Sequence, residues 1–162
     1  KQGEFDIAIV GSPHSKRMTH KLAQFLDTSI FFVKNFNPSW DYNILLCVDD
    51  SRATKRAVIL STRISEQFSA EINNVTVSKT TFFGKGYRNA HQWAERYLKR
   101  RGVSFSSTLL SGNPVDEFVR KAGDNHIIIL GKSKGNEIIK FIKGSKPIHT
   151  AQRANCPVLL VN

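Results

Sequence analysis

Ile127-Ile-Ile-Leu130-Gly131-Lys-Ser-Lys-Gly135 is an apolar, β-branched run that stops at a glycine and becomes a basic loop. Farther on, Gly144-Ser145 offers a helix start, and Cys156-Pro157-Val-Leu-Leu-Val161 is a second apolar run. Together they read as strand, phosphate-sized loop, helix and strand, which is half of a nucleotide-binding α/β domain. Exposed amide donors and the helix dipole favour an anion at Gly144-Ser145, and glycine lets backbone approach it closely.

Outward from this stretch, the same alternation recurs. Ile44-Leu-Leu-Cys-Val48 reads as a strand buried on both faces that breaks into the acidic turn Asp49-Asp50-Ser51, with Ser51 set to cap a helix. Ala53, Ala57, Leu60, Ile64 and Phe68 then form a buried helical stripe. Ile72 to Val77 is the next strand. Thr80 to Arg88 reads as a loop, in which Gly84-Lys85-Gly86 is a connector rather than a phosphate site because no strong strand precedes it. A helix from Ala90 to Arg101 has cations at its C-terminus and Gly102 for a left-handed cap. Val103 to Leu110 is strand, and Gly112-Asn113-Pro114 supplies a turn, an N-cap and a proline at the first helical position. Val115, Phe118, Val119 and Ala122 line the short helix behind it. Crossovers of this length imply parallel strands joined right-handedly, with helices on both faces and ligands at the strands' carboxyl ends.

The N-terminal residues add a shorter unit: a strand at Asp6 to Val10, a helix from Ser15 to Leu26 and a strand at Ile30 to Val33, with Asn35 to Tyr42 as a connector. This β-α-β order repeats that of the C-terminal stretch; it is read as an internal half-repeat, with two ordinary β-α-β units as the alternative. The expected division is residues 1–38 for the half-repeat and linker and 39–162 for the main domain.

The 162 residues, 40% hydrophobic, can bury one sizeable core. Twenty-four Lys and Arg against 13 Asp and Glu give a formal charge of +11, which attracts phosphates of any kind. These cations are dispersed along the sequence, and no aromatic-interleaved RNA motif accompanies them, so nucleic acid is not an expected partner. Cys47 and Cys156 sit inside apolar runs and read as small buried hydrophobes, excluding a disulfide framework. The five histidines lack metal-ligand spacing, and there is no Gly-x-Ser-x-Gly elbow, so catalysis beyond slow ATP hydrolysis is not expected. No apolar stretch approaches the ~20 residues of a membrane span, and a cytoplasmic location is expected. Lys1 in place of a methionine leaves open a larger parent, such as a transporter with a cytosolic end or a tandem protein.

From Tyr42 to Val161 the residues resemble the universal stress protein family. The resemblance rests on Val48-Asp49-Asp50-Ser51, Gly112-Asn113-Pro114, the Gly131 to Gly144-Ser145 loop and Cys156-Pro157-Val158, in that order and spacing. It implies an open, mostly parallel five-stranded sheet with helices on both faces, Rossmann-like and akin to the adenine nucleotide alpha hydrolases. It also implies a stress-response or regulatory domain, dimerisation through the last strand and, in one subfamily, ATP or AMP held by Gly-x2-Gly-x9-Gly-Ser/Thr, with Mg only alongside ATP. Residues 5–35 resemble the closing part of such a domain. Their strand at 30–33 is expected to pair antiparallel with Val158–Val161, imitating the dimer contact within one chain and covering an edge strand.

The site implied by the resemblance comprises Val48, Asp49, Val77, Leu130, Gly131, Lys134, Gly144, Ser145 and Lys146. Asp49 would bond the ribose hydroxyls, Val77 would touch adenine, Gly131 would open the phosphate loop, and Gly144-Ser145 would present amides and a hydroxyl to phosphate. Two departures stand out. The second glycine of the pattern falls on Lys134, which brings charge but also a side chain where backbone must approach; Pro147 removes an amide from the first helical turn. Lys132, Lys134 and Lys146 are candidate compensating cations. The alternative function is a nucleotide-free regulatory or dimerisation module.

Overall fold

The computed structural model describes residues 6–11, 16–132 and 146–162. Seven strands, β1 (Ile7–Gly11), β2 (Ser29–Val33), β3 (Asn43–Val48), β4 (Ile72–Ser78), β5 (Phe105–Ser111), β6 (His126–Gly131) and β7 (Val158–Val161), alternate with helices α1 (Lys16–Phe25), α2 (Ala53–Phe68), α3 (Lys85–Arg101), α4 (Pro114–Lys121) and α5 (Lys146–Arg153). The strands form one sheet in the order β1-β2-β7-β6-β3-β4-β5. From β7 to β5 every pairing is parallel, giving the expected five-stranded unit.

The two extra strands extend that unit. β2 runs antiparallel to β7 with Ile30 opposite Leu160, Phe31 opposite Leu159 and Phe32 opposite Val158, and β1 lies parallel outside it. Both sides of β7 are therefore occupied within the chain. Two lysines reinforce the join. Lys132, buried, donates to the carbonyls of Leu26 and Thr28 beyond α1 at 2.7 and 3.4 Å, and Lys34 donates to that of Ala154 beyond α5 at 2.6 Å. Each places a cation where a helix leaves carbonyls without intrahelical partners.

Strand alternation builds two cores. Leu45, Cys47, Ile128, Leu130, Val158 and Leu160 point to the layer holding α1, α4 and α5; Ile30 and Phe32 join them. Ile44, Leu46, Val48, Ile129, Leu159 and Val161 point to α2 and α3. Period-two alternation of an unbroken apolar run is what a doubly covered parallel sheet requires.

Four local readings need correction. Phe68 does not complete the buried stripe of α2: it is exposed, Leu60 and Ile64 are half-buried, and the inward face is made by Ala53, Ala57 and Val58 with Thr54, Ser61, Thr62 and Ser65, because small side chains let the helix pack close to the sheet. α3 begins at Lys85, so Lys85 to Arg88 belong to the helix and not to the loop: Gly84 is its N-cap, and the Arg88 amide donates to the Gly84 carbonyl at 3.2 Å. The two glycines carry a poor helix propensity, which disguises this first turn in the sequence. Ser51 does not cap α2. The N-cap is Arg52, in helical conformation and without a side-chain cap bond, because Asp49 organises the turn instead. β5 starts at Phe105, two residues later than expected, leaving Val103 packed against the α2–α3 core.

Candidate nucleotide site

The carboxyl ends of β3, β4 and β6 converge on an open cleft. Six of the nine expected residues line it: Val48 and Asp49 after β3, Val77 near the end of β4, Leu130 and Gly131 at the end of β6, and Lys146 at the start of α5. Lys134, Gly144 and Ser145 lie outside the described residues. Pro147 is also at the cleft, in the first turn of α5, where a helix leaves amides without intrahelical acceptors in any case.

Asp49 is held by its own turn. Its Oδ1 accepts from the Ser51 amide at 3.0 Å and from the Thr54 hydroxyl at 2.6 Å, while the Thr54 hydroxyl accepts from the Asp49 amide at 3.2 Å. Thr54 is buried, so this arrangement fixes the carboxylate rotamer and leaves Oδ2 as the oxygen available to a ligand. Gly131 has a packing reason to be glycine. A Cβ there would stand 2.6 Å from the Ala53 carbonyl carbon and 2.8 Å from the Thr54 amide nitrogen, both in the backbone of α2's first turn.

Lys146 is half-buried, with its ammonium 5.8 Å from the Tyr87 ring centroid and 3.5 Å from the Tyr87 hydroxyl. That contact brings α3 to the rim. The same end of α3 meets the β3–α2 turn, where a Cβ on Gly86 would lie 3.2 Å from the Asp50 Cβ. Lys132, by contrast, turns away from the cleft toward the carbonyls beyond α1, so its charge anchors the N-terminal unit.

Cys47, Pro114 and Phe118 also line the cleft, and reasoning from the sequence did not include them. A signal existed for Pro114: it follows β5 directly, and so stands at the same carboxyl edge as Asp49 and Gly131. Phe118 was legible only as part of a buried helical stripe. The Cys47 thiol is no nucleophile. Burial first, and then the neighbouring Asp49 and Cys156, push its pKa well above the ordinary range, and burial raises Cys156 to about 11. Among the described residues no group of three His, Cys, Asp or Glu side chains could hold a metal ion. No described helix is long and apolar enough to cross a membrane.

No family model matches the chain, and no curated protein sequence does. Solved structures do. A universal stress protein from Archaeoglobus fulgidus DSM 4304 matches 97% of this chain with a TM-score of 0.76 at 16% identity. The fold is that of the universal stress proteins. This chain spans 60% of the length of that Archaeoglobus protein. A universal stress protein in complex with cAMP matches 76% of this chain and 98% of its own length, at 23% identity and a TM-score of 0.62. The universal stress protein from Archaeoglobus fulgidus in complex with dAMP matches 75% and 98%, at 19% identity and a TM-score of 0.57. Those two cover nearly their whole length with about three quarters of this chain, while the longer Archaeoglobus protein takes in almost all of it.

Proposed function

We propose that the chain is a non-catalytic regulatory module of universal stress protein type that binds an adenine nucleotide, AMP or ATP, in the cleft at the carboxyl ends of β3, β4 and β6. The observation that carries this is the convergence of Val48, Asp49, Val77, Leu130, Gly131 and Lys146, far apart in sequence, on one opening. The chemistry of that donor set suits the ligand. Val48, Val77, Leu130 and Phe118 offer apolar surface to a purine; the Oδ2 atom of Asp49 can accept from a ribose hydroxyl; and Lys146 supplies a cation for phosphate. Two of the similar structures are complexes with cAMP and dAMP, which supports an adenine nucleotide as the ligand class.

Binding rather than chemistry fits the residues. The described ionisable groups at the cleft are Cys47, whose thiol is kept protonated, Asp49, half committed to its turn, and Lys146. None has a general base aligned on a nucleophile. Under the same reading, residues 39–162 form the nucleotide-binding domain and residues 1–38 are a half-repeat fused to its edge, with β2 paired to β7. A nucleotide-free module is the second reading, favoured by one observation: β2 takes the outer side of β7, as a structural partner would.

Isothermal titration with AMP and ATP tests the proposal. Saturable heat is expected, together with at least a tenfold loss of affinity in Asp49→Asn, which keeps the Oδ1 acceptor of the turn but replaces an anionic oxygen with an amide. Folded protein that gives no heat with either nucleotide favours the nucleotide-free reading.

A further inference from the structure

The cations that the sequence disperses are collected by the fold. α2 and α3 lie side by side on one sheet face, and both follow parallel strands, so they run in the same direction. Lys55 of α2 sits over the Trp93 ring of α3 at 5.6 Å, and Arg101 of α3 pairs with Glu66 of α2 through two hydrogen bonds of 2.8 Å. These contacts align the helices along their length. Together they carry nine Lys and Arg against two acids, Glu66 and Glu95, and all nine cations are exposed.

Of the nine, Arg101 is the one ion-paired among the described residues. Lys55, Arg56 and Arg63 remain on α2. Lys85, Arg88, Arg96 and the adjacent Lys99 and Arg100 remain on α3. The opposite layer differs: its two acids in α4, Asp116 and Glu117, are each ion-paired, to Arg153 and Arg120, which neutralises two of its cations.

We propose that the α2–α3 face docks the sugar–phosphate backbone of duplex DNA without sequence preference. Sixteen and 17 residues make rows of about 24 and 26 Å, over which a duplex carries on the order of 14 phosphate charges. Two features favour a duplex over other polyanions. The large apolar side chains exposed at this face, Phe68 and Phe82, stand at its opposite ends, so there is no apolar stripe to enter a lipid interface. Trp93 stacks on Tyr97 at 5.4 Å and is covered by Lys55, so it offers no open platform for the bases of a single strand. The proposal is independent of the nucleotide cleft, whose residues lie at the strand ends.

The test is fluorescence anisotropy of the full chain with a labelled 24-base-pair duplex of mixed sequence, titrated from 50 to 200 mM salt. The slope of log K against log salt should fall between about −4 and −7, since each neutralised phosphate contributes about −0.9. Arg56→Gln, Arg63→Gln and Arg96→Gln together should reduce its magnitude by about 3. The corresponding triple Glu variant should lose at least tenfold in affinity at 50 mM salt while keeping the parent's circular dichroism. Arg17→Glu, Lys21→Glu and Lys121→Glu, the same charge change on exposed residues of the opposite layer, should change affinity less than threefold. Equal losses in the two Glu triples would show that net charge alone acts and would overturn the proposal. So would the absence of duplex binding at 50 mM salt, tighter binding of the single strand, or capture by phosphatidylserine vesicles without capture by the duplex.

Discussion

A Cβ at Gly131 has no room, because the first turn of α2 passes over the end of β6 with the Ala53 carbonyl carbon 2.6 Å from where it would be. Backbone cannot retreat as a flexible side-chain tip would. Gly131→Ala should therefore cost about 2–3 kcal/mol of stability, the scale of overpacking a closely packed position, read from urea denaturation; a loss under 0.5 kcal/mol would contradict the contact. The sequence marked Gly131 as the opening of a phosphate loop, whereas the structure gives it a second reason that no motif states. His91 is comparable. It is buried on the sheet-facing side of α3, with Nδ1 2.9 Å from the Thr76 hydroxyl and Nε2 3.1 Å from that of Ser107, and burial lowers its pKa from 6.5 while Glu95 opposes the shift. His126 is lowered likewise, first by burial. The folded state thus resists a proton that the unfolded chain accepts below about pH 6.5, so stability is full above that value and falls as pH drops through it. Thermal melts should show a lower Tm at pH 5.5 than at pH 7.5, and a smaller difference in His91→Gln. A Tm that rises on acidification would contradict the assignment.

At the scale of elements, the alternation of strand and helix was legible because each period is local: Ile44 to Val48 and Ile127 to Leu130 carry unbroken apolar runs, and α2 carries a four-and-three spacing that marks it as a helix although its last member, Phe68, is exposed. What was not legible was local chemistry that breaks its own rules. Gly84 and Gly86 obscured the first turn of α3, and the Asp49 carboxylate took the organising role that Ser51 was expected to play. The join of β2 to β7 was foreseeable from the repeated β-α-β order, but its two lysine anchors were not, since Lys132 and Lys34 reach carbonyls more than 100 residues away in sequence. Removing residues 1–38 would uncover Ile30 and Phe32's partners in the core and free the outer side of β7. The truncated chain should lose several kcal/mol of stability, as expected when large buried side chains are withdrawn, and should sediment as a dimer where the full chain sediments as a monomer. Unchanged stability and association would show that the N-terminal unit is only an appendage.

For the whole molecule, the cleft, the basic α2–α3 face and the β1–β2 extension occupy three different parts of one sheet, each created by topology that brings together distant residues. The topology explains why six of nine expected site residues meet although their sequence positions run from 48 to 146. Position relative to strand ends also explains Pro114, which the motif reading placed at a helix start and not at the site. Charge shows the reverse case: a sequence with +11 dispersed along it gave no reason to single out one face, and only the packing of two parallel helices does so. The most direct test of the central claim, that an adenine nucleotide is held at the carboxyl ends of β3, β4 and β6, is amide chemical-shift mapping of the full chain with AMP. Saturable shifts concentrated at residues 48–54, 76–79 and 130–132 and at Lys146 and Ile148 are expected. A folded spectrum that AMP leaves unchanged, or shifts centred on any other surface, would contradict it.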